Sequence, residues 1–158
     1  MGRVKNKKKR VPPAASGSEL GGKKPKFGAR PDMINTQTIC WHLRNLDLGG
    51  KWGWNAIAPQ TLLEEVHSKL SNFETMTWDE ISKAAGGKKS GNNSHQVPRD
   101  QLCKDARDRL KDIGQDDVDE LFSLRLSGTA RVWGIKHGRV LSVIWWDPDH
   151  EVCESAKR

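Results

Sequence analysis

The sequence lacks tyrosine, closely spaced cysteines and any hydrophobic run long enough to span a membrane. Its three cysteines (Cys40, Cys103 and Cys153) are far apart and odd in number, which argues against a disulfide framework and against a structural zinc site. No apolar segment follows the basic residues at the start, as a secretory signal would require. These absences predict a soluble, cytoplasmic protein with no membrane partner, metal or cofactor.

Positive charge is concentrated at one end of the chain. Residues 1–32 contain ten Lys/Arg and two acidic residues, a net charge of +8, whereas residues 33–158 contain seventeen Lys/Arg and eighteen acidic residues, a net charge of −1. The first stretch is also rich in Gly, Pro and Ser and has one aromatic residue, Phe27. It is predicted to be a disordered basic tail, able either to attract a polyanion or simply to aid solubility.

Residues 33–158 are predicted to form a single α+β domain that begins with a strand and two helices. Apolar and polar residues alternate across Thr38–Arg44, which is typical of a half-buried strand. Pro59 suits the first turn of a helix. A capping-box pattern begins a second helix at Thr77, which should end at Gly86-Gly87.

A third helix is predicted after a polar loop at Lys88–His95. It should begin at Pro98, present an apolar stripe from Leu102 to Ile113, and close at Gly114. The three helices are expected to cover one face of a sheet.

The rest of the domain is predicted to be a three-stranded antiparallel meander that completes this sheet. Three alternating runs, Leu121–Ser127, Ala130–Lys136 and Arg139–Trp146, are separated by turns at residues 127–129 and at His137-Gly138. These turns pair Leu124 with Val132 and, in the second hairpin, Gly134 with Leu141.

The predicted register gives the meander two different faces. The face toward the helices is apolar and carries Phe122, Leu124, Leu126, Val132, Leu141, Val143 and Trp145. The opposite face is predicted to be open and carries Ser123, Arg125, Arg131, Trp133, Ser142, Ile144 and Trp146. Arginines beside tryptophan rings suit single-stranded nucleic acid, because cations meet phosphates and rings stack on bases. The alternative is an ordinary sheet face whose tryptophans pack under the C-terminal tail.

The stretch LFSLRLSGTARVWGIKHGRVLSVIWWDPDHEV, over Leu121–Val152, resembles the RelE/ParE-type toxins of bacterial toxin–antitoxin systems. The likeness rests on a basic strand, a Gly-containing turn, the Arg131-Val132 pair, a hairpin, an apolar strand and a polar end. It covers about a fifth of the chain. It implies a RelE/ParE-like sheet, RNA and the ribosome as partners, and a cognate antitoxin protein.

The resemblance also implies roles for individual residues. In the ribosome-dependent members, which cleave mRNA without a metal, Arg131 would stabilise the transition state and Arg125 would contact phosphate or act as an acid or base. His150 would assist proton transfer. Nucleic-acid binding is assigned to four further residues of the hairpin: Trp133, Trp146, Lys136 and Arg139.

The chain departs from the family where several of these nucleases end in tyrosine, since it reads Val152-Cys153 there. A thiol can neither stack on a base nor replace a phenol as proton donor. This departure leaves open the alternative of a non-catalytic module that binds nucleic acid or protein. In addition, not every member of the resembled family is a nuclease, since the ParE branch acts on DNA gyrase. A metalloenzyme is disfavoured because the five histidines lack ligand spacing.

Overall fold

The computed structural model describes residues 31–84 and 93–153. The predicted disorder of the basic tail falls on residues outside these ranges except at Pro31 and Asp32, which begin a helix instead. Most of the predicted loop at Lys88–His95 also lies outside them. Within them the chain is α+β, as predicted. No helix among the described residues has the length and apolar character needed to cross a membrane.

The helices precede most of the sheet along the chain. A short helix, α1 (Pro31–Asn35), leads to strand β1 (Cys40–His42). After a 3-10 turn at Trp54–Ala56, α2 (Pro59–Thr61), a π-helical segment (Leu62–His67) and α3 (Ser68–Phe73) follow one another without a break. Next comes α4 (Trp78–Lys83), and α5 (Lys104–Asp112) lies later in the chain.

The sheet has five strands in the order β1-β5-β4-β3-β2. Its remaining strands are β2 (His95–Pro98), β3 (Glu120–Arg125), β4 (Arg131–His137) and β5 (Val140–Asp147). β1 runs parallel to β5, and all other neighbours are antiparallel. The predicted strand, helices and three-stranded meander are therefore present, and β2 is an additional edge strand that was not predicted.

Two local predictions about the helices have different outcomes. The capping box at Thr77 is confirmed, because the Thr77 hydroxyl accepts from the Glu80 backbone N–H while the Glu80 carboxylate accepts from the Thr77 N–H. The helix nevertheless ends at Lys83, before the predicted Gly86-Gly87.

The predicted start of a helix at Pro98 is wrong. Pro98 ends β2, a 3-10 turn follows at Arg99–Gln101, and α5 begins only after Cys103, whose Sγ accepts from the Ala106 N–H. Proline is tolerated in β2 because this is an edge strand. The predicted closure of the helix at Gly114 is confirmed, since Gly114 adopts a positive φ of 67°.

The second hairpin has a different turn from the predicted one. His137 pairs with Val140, so the turn residues are Gly138 and Arg139, with Gly138 at φ 58°. Glycine with positive φ at the first turn position is the type II′ pattern. Gly134 therefore pairs with Val143 rather than Leu141, whereas the predicted pairing of Leu124 with Val132 is confirmed.

A β-bulge between Trp133 and Gly134 exchanges the two adjacent tryptophans of β5. A side chain at Gly134 would collide with the Ser142 carbonyl oxygen, so the strands can approach this closely only at glycine. As a result Trp146 packs into the core on the first face and Trp145 into the core on the second, the reverse of the prediction.

Both faces of the sheet are covered, and the prediction of an open second face is wrong. The first face packs on α4 and the π-helical segment through a core that includes Phe122, Leu124, Val132, Val143, Val66, Trp78 and Ile81. The second face packs on α5 through Leu121, Trp133, Ile135, Ile144, Trp145, Ala106 and Leu110, with Trp52 and Val152 from the flanking segments. The predicted helical layer is thus divided between the two faces.

Candidate nucleic-acid site at one end of the sheet

The three residues predicted to be catalytic lie at the same end of the second face. Arg125 ends β3 and pairs with Arg131 at the start of β4, which in turn pairs with Asp147 at the end of β5. His150 follows three residues later. Because paired residues of a sheet share a face, this end carries the charged side chains, while the rest of the second face is mainly apolar.

Asp147 folds the segment after β5 back against this end. Its buried carboxylate accepts from the backbone N–H groups of Glu151 (3.0 Å) and Val152 (3.1 Å) and from the Trp133 indole N–H (3.1 Å). Between these anchors His150 adopts a φ of 60°, the only positive value among the non-glycine residues that the structure describes. Backbone strain of this kind costs about 1–3 kcal/mol and is concentrated at functional sites.

The His150 imidazole lies in a positively charged, partly buried environment. Its pKa is below the ordinary 6.5, first because burial disfavours the imidazolium and then because of the positive charge of Arg131. Asp147 opposes this shift, whereas His95 and Arg125 add to it. His150 is therefore neutral at pH 7, the state in which an imidazole can accept a proton.

Arg131 is held beneath the surface rather than on it, with only 7% of the residue exposed. Its Nη1 donates to the backbone oxygens of Ala130 (3.0 Å), Ser127 (3.1 Å) and Gly128 (3.4 Å). Its pKa is lowered by burial and by the positive charge of Arg125, against the attraction of Asp147. Arg131 thus contributes positive charge to this end of the sheet from beneath its surface.

Arg125 is half-buried and more accessible than Arg131. Its Nε donates to the Ser127 carbonyl oxygen (2.7 Å), and its Nη1 donates to the Asn93 side-chain oxygen. The Ser94 hydroxyl accepts from its backbone N–H (3.1 Å). These contacts hold the guanidinium beside the turn between β3 and β4.

Sequence reasoning missed His95, which the unpredicted strand β2 brings to this end. His95 pairs with Ser123, which lies two residues before Arg125 on the same face of β3, and the His95 side chain is exposed. The Ser123 hydroxyl is buried and has no hydrogen-bond partner among the described residues. The sequence gives no strand signal at His95, because HQVP is short, does not alternate and follows a polar loop.

The two tryptophans predicted to stack on bases are not available for this purpose. Trp133 is fully buried under α5 and the folded-back segment, and Trp146 is 6% exposed in the core on the other face. The prediction failed because the register alone does not reveal the bulge or the segment that covers the face.

Lys136 and Arg139, also predicted to bind nucleic acid, lie at the opposite end of the β4–β5 hairpin. The Lys136 ammonium is 4.6 Å from the centroid of the Trp78 ring, and burial lowers its pKa. Arg139 is exposed in the turn, and its carbonyl oxygen accepts from the Trp78 indole N–H (3.0 Å) and the Cys40 N–H (3.0 Å). Neither shares a surface with the Arg125 end of the sheet.

The polar end of the second face thus joins the guanidinium groups of Arg125 and Arg131 and the imidazoles of His95 and His150 to the Asp147 carboxylate, which is already bonded to three donors. Such a site favours an anion and can also move a proton. Among residues 31–84 and 93–153, no three His, Cys, Asp or Glu side chains converge to hold a metal ion. No family model, curated protein or solved structure matches this chain.

Proposed function

We propose that the protein is a RelE-like, metal-independent endoribonuclease that acts on single-stranded RNA at the polar end of the second face. The observation that carries this proposal is the convergence of Arg125, Arg131 and His150, which three separate parts of the chain contribute. The wider proposal includes the RelE/ParE-like arrangement, a cytoplasmic location, and the ribosome and a cognate antitoxin as partners.

RNA cleavage without a metal can use the 2′-hydroxyl as nucleophile. Neutral His150 accepts the proton of that hydroxyl, whose oxygen attacks the adjacent phosphorus. The bond to the 5′-oxygen breaks, and this leaving oxygen takes a proton from an acid, a role that we assign to the exposed His95. The products are a 2′,3′-cyclic phosphate and a 5′-hydroxyl.

The two arginines have different parts in this scheme. Arg125 contacts the phosphate, because its guanidinium is half-exposed beside the turn. Arg131 is a positioning residue: from below it keeps His150 neutral and adds positive charge under the phosphorane-like transition state.

A second candidate is a non-catalytic RNA-binding module. The observation that favours it is the burial of Arg131, whose Nη1 is already bonded to three backbone carbonyl oxygens. In that case the site would hold phosphates without cleaving them.

The test is cleavage of a labelled single-stranded RNA, alone with EDTA and on programmed ribosomes with Mg²⁺. The informative variant is His150→Asn, because asparagine tolerates positive φ and so preserves the backbone while removing the imidazole. We expect a loss of about 100-fold or more in cleavage rate. The matched control is His137→Asn, an exposed residue at the far end of β4, roughly 20 Å away along the strand, which should cleave normally.

The RNA itself provides a further control. A single 2′-deoxy substitution at the cleavage position should block cleavage while binding persists, because the nucleophile is absent. Binding without cleavage by the unmodified protein in both settings would favour the non-catalytic module. Equal cleavage by both histidine variants would remove His150 from the mechanism.

A further inference from the structure

The fold brings together two cysteines, Cys103 and Cys153, that are far apart in the sequence. Cys103 caps the amino end of α5, and Cys153 follows the segment that Asp147 folds back over the second face. The Cys103 N–H donates to the Val152 carbonyl oxygen (2.8 Å). Both cysteines are free, half-buried thiols that pack against the core on the second face.

This backbone hydrogen bond places the two cysteines at a distance that a disulfide can span. It joins Cys103 to the carbonyl group immediately before Cys153, so one hydrogen bond and one planar peptide separate the two α-carbons. Standard bond lengths then keep these α-carbons within about 7 Å of each other. Disulfides usually join α-carbons that are about 4.4–6.8 Å apart. A bridge therefore requires rotation of the side chains and little movement of the backbone.

The two thiols also act on each other and have different surroundings. The pKa of the Cys153 thiol is raised first by burial, then by Cys103 and by Asp147, so this thiol is protonated at neutral pH. The Cys103 Sγ accepts from the Ala106 N–H (3.4 Å) at the amino end of α5, and Cys103 interacts with the Lys51 ammonium. Such surroundings make a cysteine reactive. Cys103 is thus suited to react first and Cys153 second.

We propose that Cys103 and Cys153 form a site of reversible thiol–disulfide exchange that takes a small disulfide, such as oxidised glutathione, as its oxidant. The Cys103 sulfur attacks one glutathione sulfur, the bond between the two glutathione sulfurs breaks, and one glutathione leaves. The Cys153 sulfur then attacks Cys103 and displaces the second glutathione. Each cysteine gives up its thiol proton, and each departing glutathione takes one up. Two protein thiols are oxidised, and one glutathione disulfide is reduced to two thiols.

The bridge would hold the end of the folded-back segment covalently against α5. In the thiol form this segment is held by the bonds to Asp147 and by an ion pair between Lys51 and Glu151 (2.9 Å). That ion pair is exposed and contributes little. A bridge closes a loop of about fifty residues and so restricts the unfolded chain. Oxidation should therefore stabilise the domain, and this proposal does not rest on RNA cleavage.

The first test is mass spectrometry of the full chain after incubation with oxidised glutathione at low protein concentration. We expect a cross-linked peptide pair that joins Cys103 to Cys153. The matched control is Cys40→Ser, which removes the remaining thiol and should lose two hydrogen atoms without retaining glutathione. Cys153→Ser should stop at the mixed disulfide of Cys103 and glutathione, because the second thiol is absent.

The second test is thermal unfolding of the oxidised protein with and without dithiothreitol. In the Cys40→Ser background oxidation should raise the Tm by about 10 °C, and dithiothreitol should reverse the shift. Adding Cys103→Ser should abolish the redox dependence without loss of the helix, since serine is a preferred N-cap residue.

Glutathione adducts retained on both Cys103 and Cys153, or a bridge that involves Cys40, would overturn the exchange site. A bridge between Cys103 and Cys153 that leaves the Tm unchanged would overturn its stabilising role.

Discussion

Two arginines, Arg109 of α5 and Arg131 of β4, have very different surroundings. Arg109 of α5 makes two bonds to Asp47, from Nε to Oδ2 (2.8 Å) and from Nη2 to Oδ1 (2.7 Å), which raise its pKa. Arg131 is more deeply buried, and its Nη1 bonds only carbonyl oxygens. The pKa of Arg131 is lowered, first by burial.

The positive charge of Arg109 contributes to stability through an ion pair, whereas the positive charge of Arg131 acts through its electric field on a nearby imidazole. Burial alone would raise the pKa of Asp47, but bonds from Arg109, Trp145 and the Gly49 N–H lower it overall. The Arg109–Asp47 ion pair links α5 to the segment before Trp52, and its two charges neutralise each other. The positive charge of Arg131 is not neutralised in this way, so it acts on its neighbour His150.

The largest effect on stability is expected at the ion pair of Asp47 and Arg109. Asp47→Ala removes the partner of Arg109 and leaves the buried Trp145 indole N–H without its 2.9 Å bond. We expect the free energy of unfolding to fall by about 3 kcal/mol, measured by urea denaturation. Asp112→Ala is the control, because Asp112 is exposed and 4.0 Å from Arg109, and it should cost less than about 0.5 kcal/mol.

The next largest effect comes from the positive charge of Arg131 and should appear in the pH dependence of the RNA cleavage rate. In the proposed mechanism cleavage needs neutral His150, so the rate should rise with pH through a pKa below 6.5. Arg131→Met removes a positive charge, which makes protonation easier, raises the pKa of His150 and moves this limb to higher pH. We expect a loss of about tenfold in rate at pH 7.

An NMR titration of the His150 imidazole gives the same pKa even where cleavage is too weak to measure. Asp147, His95 and Arg125 also act on this imidazole and remain unchanged in the variant. A pKa that stays in place or falls in Arg131→Met would contradict the proposed role. Arg139→Met, at the far end of the hairpin, should leave the profile unaltered.

A smaller effect is expected for direct phosphate contact. Arg125→Ala should weaken RNA binding several-fold and reduce the slope of log K against log salt by about 0.7, the value for one phosphate contact on a single strand. Fluorescence anisotropy at several salt concentrations measures both. If Arg139→Ala changes the slope equally, the binding surface is the hairpin turn rather than the Arg125 end.

The smallest effect is expected for the free energy of unfolding of Arg131→Met. The Ala130 carbonyl oxygen also accepts from the Leu126 N–H, and the Ser127 oxygen also accepts from Arg125, so neither loses all its partners. Removing an uncompensated buried charge further offsets the lost bonds. We expect the free energy of unfolding to change by less than about 1 kcal/mol in the same urea assay. A loss as large as that of Asp47→Ala would make Arg131 a structural residue.

Local sequence signals predicted those parts of the fold that depend on neighbouring residues. The Thr77 capping box and the pairing of Leu124 with Val132 each follow from a few adjacent side chains. The exchange of Trp145 and Trp146 does not, because it depends on a bulge where Gly134 meets the backbone of another strand. For the same reason the short strand at His95 was missed: its partner, β3, lies more than twenty residues away.

The candidate site was predictable in part. Arg125, Arg131 and His150 were named from the sequence and lie at one end of the sheet. That Arg131 is buried, and that Trp133 is covered, depends on how Asp147 turns the following segment back over the face. This turn requires bonds from three groups to one carboxylate, and no spacing in the sequence indicates them.

The pairing of β1 with β5 has a consequence for synthesis of the protein. Cys40 pairs with Val140, so the sheet cannot close until about one hundred further residues have been translated. At ordinary rates of translation this takes about 5–20 s. His150 is made after β5, so the proposed nuclease site is completed later still. Under the proposed function, a nascent chain could not cleave the message that encodes it until nearly all of the described domain has been made.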